Sequence, residues 1–360
     1  MVRISALSDD LLLKILSFLP TKVAISTSIL SKQWQFLWMW LPKLEYDDYE
    51  IICPLSSWLR YDEFIDKNLP LHRAPVIESL VLRFCHGCLS QPKKIKRWVG
   101  IAVSRFVREL SIGYFCSNRK PHDVLSLPSS LYTCNSLMTL KLEGETILVD
   151  VPRIVCLPSL KTLKLQRVTY SNEDSLGLLL SHCPVLEDLL IQRHDEGDNV
   201  RALVVNVPSL QRLSLRIGIE CSSSDEYVIV TPCLKYFKIE DYRGFPSYLI
   251  EPMPILEEAY IEVLRTMEKI LESVTSVRRL SLESVSRFSL GPKEWYLTCK
   301  EYEPVDLKNK ESTVPECLLR SLETFEFSSY MQTQEEIDFL SFFFKHASCL
   351  KSTPITDYVP

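Results

Sequence analysis

Glycine and histidine are scarce in this sequence, and their scarcity excludes several kinds of site. Only 9 of the 360 residues are glycine, and the closest neighbours, such as Gly87 and Gly100, are 13 positions apart. A phosphate-binding loop needs several glycines within a few residues, so that backbone amides can approach the anion. The chain therefore lacks the glycine loops of nucleotide-binding proteins and kinases, and the serine turn of hydrolases. The 6 histidines are at least 12 positions apart, which excludes the helical zinc-protease motif.

The chain also lacks a strong net charge and a long apolar run. Its formal net charge is -5, so no bulk positive field attracts nucleic acid or an anionic membrane. No apolar run approaches the roughly 18 residues of a membrane-spanning helix. The residues after Met1 show no signal-peptide pattern. We therefore expect a soluble intracellular protein, nuclear or cytoplasmic, without a membrane partner.

The 12 cysteines are spread along the chain and do not form the pattern of a disulfide framework. One local pair exists, in Cys85-His86-Gly87-Cys88. A structural zinc site normally draws its four ligands from two such pairs, and the next cysteine, Cys116, stands alone. We expect no metal and no cofactor.

Leucine dominates the sequence and recurs in a fixed motif. The pattern P/S-x-L-x-x-L-x-L is clearest at residues 158–165 (PSLKTLKL), 184–191 (PVLEDLLI) and 208–215 (PSLQRLSL). The L-x-L alternation predicts a short strand whose leucines face one side. The proline before it ends the incoming segment and fixes the turn into the strand.

Ten copies of the motif follow one another at a regular spacing. Their final apolar residues are Leu82, Ile112, Leu142, Leu165, Ile191, Leu215, Ile239, Ile261, Leu282 and Phe327. Apart from the last step, which is 45 residues, the spacing is 21–30 residues. A period of about 20–29 residues with L-x-x-L-x-L is typical of a leucine-rich repeat. We predict an α/β solenoid in which neighbouring units bury one another's apolar faces.

The segments between the predicted strands are interpreted as helices on the convex side of the solenoid. The clearest helical spacing is at Ser175–Ser181 and Met267–Val274. The step of 45 residues indicates either a degenerate unit around Trp295–Cys299 or a lost unit. The charged, proline-containing stretch Glu301–Glu316 is predicted to be an exposed loop.

The first 45 residues predict a separate unit of three helices. Ser8 would cap the first helix and Pro20 would end it. Thr21 and Ser31 would cap the second and third. A unit of about 40 residues buries too little surface to be comfortably stable alone. Its surplus of apolar residues predicts a docking partner.

These residues resemble the F-box family. Residues 4–22 are similar to the first half of that domain and residues 28–38 to the second, with Gln33 where the family usually has arginine and Ser8 where proline is common. Residues 64–75 are similar to the joining helix of plant F-box proteins with leucine-rich repeats. Residues 314–351 are similar to their C-terminal FBD module, whose usual aromatic-x-Gly-Tyr step reads Phe327-Ser-Ser-Tyr330 here.

The resemblance and the repeats together predict the domain organisation. It comprises an F-box at 1–45, a linker helix at 46–74, leucine-rich repeats at 75–284, an irregular segment at 285–313, and an FBD-like module at 314–357. We expect the apolar residues of that module's last helix to cover the final repeat.

The F-box resemblance implies a function without chemistry of its own. The protein would bind a Skp-type adaptor, and through it a cullin–RING ubiquitin ligase core, while the repeats hold an unknown protein target for ubiquitination. The candidate contact or framework residues for the adaptor are Leu7, Leu11, Leu12, Ile15, Leu16, Leu19, Pro20, Val23, Leu30, Trp34 and Trp38. Periodicity leaves open which of them face the adaptor and which form the core.

Target contacts are expected at outward positions of the strands on the concave face. The residues selected are Lys164, Arg212, Arg216, Tyr236, Lys238 and Tyr260. Their mixed charged neighbourhood favours a protein partner over a polyanion.

Three other interpretations of the protein's function stay open. The helices could cap a repeat scaffold that has no role in ubiquitination. The cluster Lys93-Lys94-Ile-Lys96-Arg97 could contact nucleic acid, although a solvated helix face fits the acidic chain better. An enzyme is the weakest alternative, because no spacing places a nucleophile beside its base.

Overall fold

The computed structural model describes residues 7–47, 55–84, 92–115, 124–193, 198–200, 202–219, 221, 226–243, 246–263, 267–283, 316–330 and 332–357. The chain forms two compact units, Met1–Leu186 and Glu187–Pro360. Both are built on short parallel strands, so the predicted α/β fold class is confirmed. In the part of the chain that is described, no helix is both long and apolar enough to cross a membrane.

The first unit begins with short helices, as predicted. Helix α1 is Asp9–Leu16 and helix α2 is Thr21–Ser26. A 3-10 turn at Thr27–Ile29 extends α2, and the third helix, Trp34–Trp40, is a 3-10 helix rather than an α-helix. Apolar packing of this tryptophan-rich segment outweighs the poorer hydrogen-bond geometry of a 3-10 helix.

The predicted caps of these helices are wrong in detail. Ser8 occupies the N-cap position of α1 but makes no side-chain capping bond. Helix α1 already ends at Leu16, four residues before Pro20. Pro20 itself is the N-cap residue of α2, and the hydroxyl of Thr21 is engaged elsewhere. Ser31 contributes only its backbone carbonyl, which accepts a bond of 3.1 Å from the Trp34 amide.

Among its described residues, the first unit also has eight strands, three further α-helices and two 3-10 helices, Leu69–Leu71 and Ser129–Thr133. The strands are β1 (Lys43–Asp47), β2 (Ser79–Phe84), β3 (Glu109–Tyr114), β4 (Leu125–Ser126), β5 (Thr139–Glu143), β6 (Ile147–Val149), β7 (Thr162–Gln166) and β8 (Thr169–Tyr170). The helices are α3 (Leu55–Asn68), α4 (Pro92–Ser104) and α5 (Ser175–Ser181). Strands β1, β2, β3, β5 and β7 pair in parallel in that order. Strand β1, at the edge, was not predicted.

Within its described residues, the second unit has ten strands and three helices. The strands are β9 (Asp188–Gln192), β10 (Leu203–Asn206), β11 (Arg212–Ile217), β12 (Glu226–Val230), β13 (Tyr236–Asp241), β14 (Ser247–Ile250), β15 (Glu258–Val263), β16 (Arg279–Glu283), β17 (Thr324–Tyr330) and β18 (Ile355–Asp357). The helices are α6 (Met267–Ser273), α7 (Glu316–Arg320) and α8 (Gln334–His346). Strands β9, β11, β13, β15, β16, β17 and β18 pair in parallel in that order.

The ten motif strands appear where the leucine spacing places them. All ten final apolar residues of the motif, from Leu82 to Phe327, are buried. Register pairing keeps equivalent residues together, as in Leu213 beside Phe237 and Leu215 beside Ile239. The inward apolar residues of successive repeats therefore form a continuous row within each of the two compact units.

The connections between these strands are less helical than predicted. Helices form at Ser175–Ser181 and, one residue shorter than expected, at Met267–Ser273, and helices α4 and α7 also lie between motif strands. Six short strands in the other connections form two small parallel sheets, β4–β6–β8 and β10–β12–β14. Their strands are rich in β-branched and aromatic residues in alternation, as in Tyr227-Val-Ile229, a composition that suits strands better than helices.

The step of 45 residues is an insertion between adjacent strands. Strand β16 pairs directly with β17, from Arg279 beside Thr324 to Glu283 beside Ser328. No further strand of a degenerate unit can therefore lie between them in the sheet. The segment 285–313, including the predicted unit near Trp295–Cys299, lies outside the described residues, while Glu316, the last residue of the predicted loop, begins helix α7.

An aromatic cluster covers the last motif strand, as expected for a C-terminal cap. The rings of Phe325 and Phe343 stack with centroids 4.0 Å apart, and Phe339 lies 6.3 Å from Phe327. Leu340 is also buried. Helix α8 is held by a full capping box between Thr333 and Glu336.

Candidate interaction surfaces

Helix α1 buries one face and exposes another. Leu12 and Leu16, four residues apart, are completely buried. Leu11 and Ile15, also four residues apart, are 50% and 41% exposed. Residues at this spacing share a helix face, so α1 has an apolar core face and a second apolar face that this chain leaves uncovered.

The exposed apolar residues of α1 belong to a larger set on the same helices, which we call the N-terminal apolar surface. Its members are large hydrophobic residues between 37% and 87% exposed: Leu11, Ile15, Phe18, Leu19, Val23, Ile29, Leu30, Phe36 and Trp40. Single exposed hydrophobic residues are common, but nine within about 30 residues are not. Such a surface is suited to burial against another protein.

The residues predicted to serve the adaptor divide between this surface and the core. Leu7 is half-buried. Four residues, Leu12, Leu16, Trp34 and Trp38, are buried and form the framework. Six are exposed: Leu11, Ile15, Leu19, Pro20, Val23 and Leu30. Four exposed apolar residues were not predicted: Phe18, Ile29, Phe36 and Trp40. Phe18 lies in the turn after α1, and the other three lie in the 3-10 segments.

Hydrogen bonds attach the helices directly to the sheet. The hydroxyl of Thr21, which is buried, accepts a bond of 2.7 Å from the backbone amide of Glu45 in β1. The carbonyl of Met39 accepts bonds from the amides of Arg73 and Ala74, at 2.7 and 3.2 Å. The helical unit is therefore fixed to the first strands rather than joined to them by a free linker.

His72 lies buried at the same junction. Its Nε2 is 2.7 Å from the carbonyl of Leu41, and since a carbonyl only accepts, Nε2 carries the proton. Its Nδ1 is buried without a hydrogen-bond partner. Burial lowers the pKa of His72 below its usual 6.5, and the nearby Arg105 lowers it further, although the bond to Leu41 opposes them.

The predicted target-binding residues of the second unit share one outward face. Register pairing sets Arg212 beside Tyr236, and Lys238 beside Tyr260. The Arg212 guanidinium lies 5.1 Å from the centre of the Tyr236 ring, and the Lys238 ammonium lies 4.4 Å from that of Tyr260. Lys164, on β7, faces outward in the first unit and belongs to a different set.

Ion pairs already engage several of these cations. Arg212 pairs with Asp188 at 3.0 Å. Arg216 and Lys238 both pair with Glu240, at 3.4 and 2.7 Å. This face is therefore an ordered network of charged and aromatic groups, which suits contact with another protein surface.

A buried polar network lies behind this face and was not predicted. Arg243 and Asp241 are both fully buried and form an ion pair at 2.7 Å, while Tyr248 donates a bond of 2.6 Å to the same carboxylate. The Arg243 guanidinium lies 3.8 Å from the centre of the Tyr227 ring, and Arg193 donates to the Tyr227 hydroxyl. Burial alone would lower the pKa of Arg243, but the Asp241 carboxylate more than offsets this and raises it.

The basic cluster of α4 is partly neutralised by α3. Lys94 lies 3.3 Å from Asp62 and 3.8 Å from Asp66, and Arg97 also contacts Asp66. Intramolecular ion pairs with carboxylates weaken the attraction for phosphates, so the solvated-face interpretation of this cluster is favoured over nucleic-acid binding. The Cys85–Cys88 pair lies outside the described residues, and no group of three metal-binding side chains occurs among those that are described.

The fold and its exposed helices together define a class of protein, in which an apolar helical module is attached to leucine-rich repeats. Three family models match the chain: F-box domain at residues 4–46, the LRR repeats of an FBD-associated F-box protein at 95–247, and FBD at 310–355.

Curated relatives match over the full chain. A putative FBD-associated F-box protein of Arabidopsis thaliana is 56% identical, with 99% of this chain and 98% of the relative covered. Another FBD-associated F-box protein of that plant is 50% identical, covering 99% of this chain and 100% of the relative. A putative F-box/FBD/LRR-repeat protein is 42% identical, covering 99% and 93%. The chain belongs to this family of FBD-associated F-box proteins with leucine-rich repeats.

Proposed function

We propose that this protein is the substrate-recognition subunit of a Skp–cullin–F-box ubiquitin ligase. The single observation that carries the proposal is the N-terminal apolar surface, which stays exposed although the same helices have a buried core. A Skp-type adaptor would cover that surface and connect the chain to the cullin–RING core. The protein itself would be non-catalytic and intracellular, in the nucleus, the cytoplasm or both.

The proposed division of labour follows the domains. The F-box at 1–45 binds the adaptor, the linker helix at 46–74 fixes it to the sheet, and the repeats at 75–284 hold the target. The irregular segment at 285–313 separates the repeats from the FBD-like module at 314–357. Within the F-box, Leu11, Ile15, Leu19, Pro20, Val23 and Leu30 contact the adaptor, with Leu7 beside them.

Adaptor capture by purified full-length protein tests this function. The double change Leu19→Ala with Pro20→Ala, and separately Ile15→Glu, should abolish capture of a purified Skp-type adaptor, because burying one large aliphatic side chain contributes about 1.5–3 kcal/mol. The melting temperature should stay within about 2 °C of the wild type, since these residues are solvent-exposed and surface changes usually cost under about 0.5 kcal/mol.

The chain offers a matched control for this test. Ile154 is 77% exposed and lies outside the F-box, so Ile154→Glu introduces the same charge at an exposed isoleucine and should leave capture intact. Undiminished capture by Ile15→Glu and by the double variant would contradict the proposal. It would favour the alternative, a leucine-rich-repeat scaffold with no role in ubiquitination.

A further inference from the structure

Charges on the outer strand face of the second unit are arranged in rows across the strands, and two of these rows balance their charge. Backbone hydrogen bonds connect the residues that precede the strands, and these residues form the first row: Glu187, Gln211, Lys235, Glu257, Arg278, Glu323 and Lys351. The first outward residues of the strands form the next row: Asp188, Arg212, Tyr236, Glu258, Arg279 and Thr324. In both rows charges alternate in sign, and opposite charges across neighbouring strands stabilise a sheet.

The row at the carboxyl ends of the strands breaks this alternation. Glu240 on β13 pairs in register with Glu262 on β15. On the next strand, β16, Leu282 pairs with Ile261. The residue after Leu282, Glu283, therefore lies beside Glu262. Three carboxylates therefore lie on three adjacent strands, which are about 4.8 Å apart in a sheet. Like charges in directly opposite positions are destabilising.

Cations compensate only the first of these three carboxylates. Glu240 receives both Arg216 and Lys238. Within the described part of the chain, Glu262 and Glu283 take part in no ion pair. They are held instead by hydroxyl groups: Tyr242 donates to Glu262 at 2.7 Å, and Ser329 donates to Glu283 at 3.2 Å.

Tyr260 lies between the two uncompensated carboxylates. Its hydroxyl is 3.1 Å from Oε2 of Glu262 and also contacts Oε2 of Glu283. A phenol has one hydrogen and can satisfy only one of them. The ammonium of Lys238 lies 4.4 Å from the centre of the Tyr260 ring. Contacts at the ring face and at the hydroxyl therefore both hold the Tyr260 side chain in place. A further donor with positive charge would satisfy both carboxylates at once.

We propose that this tyrosine–glutamate face, defined as Tyr242, Tyr260, Glu262 and Glu283, receives an arginine or lysine side chain from a basic segment of the target protein. Charge complementarity selects this occupant, because the two rows at the start of the strands balance their own charges, whereas Glu262 and Glu283 have no cation beside them among the described residues. An arginine fits best, since its planar fork of donors can bridge two carboxylates. The inference deepens the proposed function and rests on it, because it names the class of substrate that the repeats hold.

Without a partner, burial and like-charge repulsion both disfavour the ionised form of Glu262. Burial raises the pKa of Glu262 above its ordinary value, and the neighbouring Glu283 raises it further, although the bonds from Tyr242 and Tyr260 oppose this. The arrangement is therefore costly to the isolated chain, and a bound cation would relieve the cost.

Selection from a randomised peptide display library on the full chain, in complex with its adaptor, tests the inference. We expect selected peptides to share one position enriched in arginine or lysine, and replacing that residue by glutamine should weaken binding about tenfold. The variant Glu262→Gln with Glu283→Gln should weaken the original peptide by a similar factor, and the two changes should not be additive, because they remove the same contact. This variant should also melt at a higher temperature than the wild type.

The matched control is Glu258→Gln with Glu323→Gln, which removes two carboxylates that are already paired with Arg279 and Lys351. This control should leave peptide binding unchanged. Selection of acidic or uncharged peptides, no selection at all, or equal losses in both double variants would overturn the inference. Failure of the proposed function is seen separately, as loss of adaptor capture by the wild-type chain.

Discussion

Ser329 adopts a left-handed backbone conformation that favours glycine. Its φ is 61°, at the point where the register of β17 against β18 shifts between Phe327 and Tyr330. Glycine has no Cβ and adopts this conformation at little cost, but here the residue is serine. A residue with a Cβ costs about 1 kcal/mol in this conformation, so this part of the C-terminal module carries strain.

Replacing Ser329 by glycine should relieve that strain. Because Ser329→Gly also loses the bond to Glu283, the proper comparison is Ser329→Ala, which loses the same bond and keeps the strain. We expect the glycine variant to exceed the alanine variant by about 1 kcal/mol in the free energy of unfolding measured in urea. Equal stability of the two would show that the left-handed conformation is not maintained in solution.

The ion pair of Asp241 with Arg243 is fully buried. Changing Asp241 to asparagine keeps the shape but removes the carboxylate charge from a buried ion pair, and breaking such a pair typically costs about 3–5 kcal/mol. Chemical denaturation should show this loss. The control, Glu258→Gln, breaks an exposed pair of 2.8 Å with Arg279 and should cost under about 1 kcal/mol. A small loss for Asp241→Asn would contradict the buried assignment.

These residues also mark the limit of sequence reasoning at this scale. The leucines could be assigned inward positions because their spacing repeats. Nothing periodic distinguishes Asp241, Arg243 or Ser329 from ordinary charged and polar residues. Their roles depend on partners that only the fold brings together, such as Tyr227 and Tyr248 on the small sheet.

At the scale of elements, the junction between the N-terminal helices and the sheet should be sensitive to acid. The lowered pKa of His72 means that, below pH 6.5, the unfolded chain binds a proton that the folded chain does not. Stability therefore falls as the pH drops through 6.5 toward the folded pKa, by at most about 1.4 kcal/mol per pH unit from this group.

Replacing His72 by glutamine tests this linkage. The glutamine amide can donate to the Leu41 carbonyl but does not titrate, so the variant should lose less stability than the wild type between pH 7.5 and 5.5. Urea unfolding at the two pH values measures the difference. An identical pH dependence in the two proteins would contradict the buried, neutral state of His72.

The elements themselves were predictable wherever one physical signal dominated. The L-x-L alternation placed all ten motif strands, because inward leucines must repeat with the period of the unit. The small sheets were missed because their segments are short and carry no repeated motif. Strand β1 was missed because residues 43–47 lie at the end of the F-box and contain only two inward residues, Leu44 and Tyr46.

At the scale of the whole molecule, three modules occur along one chain, and the F-box is part of the same compact unit as the first strands. The bonds through Thr21, Met39 and His72 fix the helices to β1 and its neighbours. An adaptor bound to the helices would therefore be held in a defined orientation to the first unit.

The measurement that tests the central claim most directly is hydrogen–deuterium exchange of the full chain with and without a purified Skp-type adaptor. Our account predicts that binding protects backbone amides in α1, α2 and the 3-10 turns through residue 40, where the apolar side chains are exposed. Exchange in strands β9–β17 should be unchanged. Absence of protection in the N-terminal helices, or protection confined to the strands, would contradict the account.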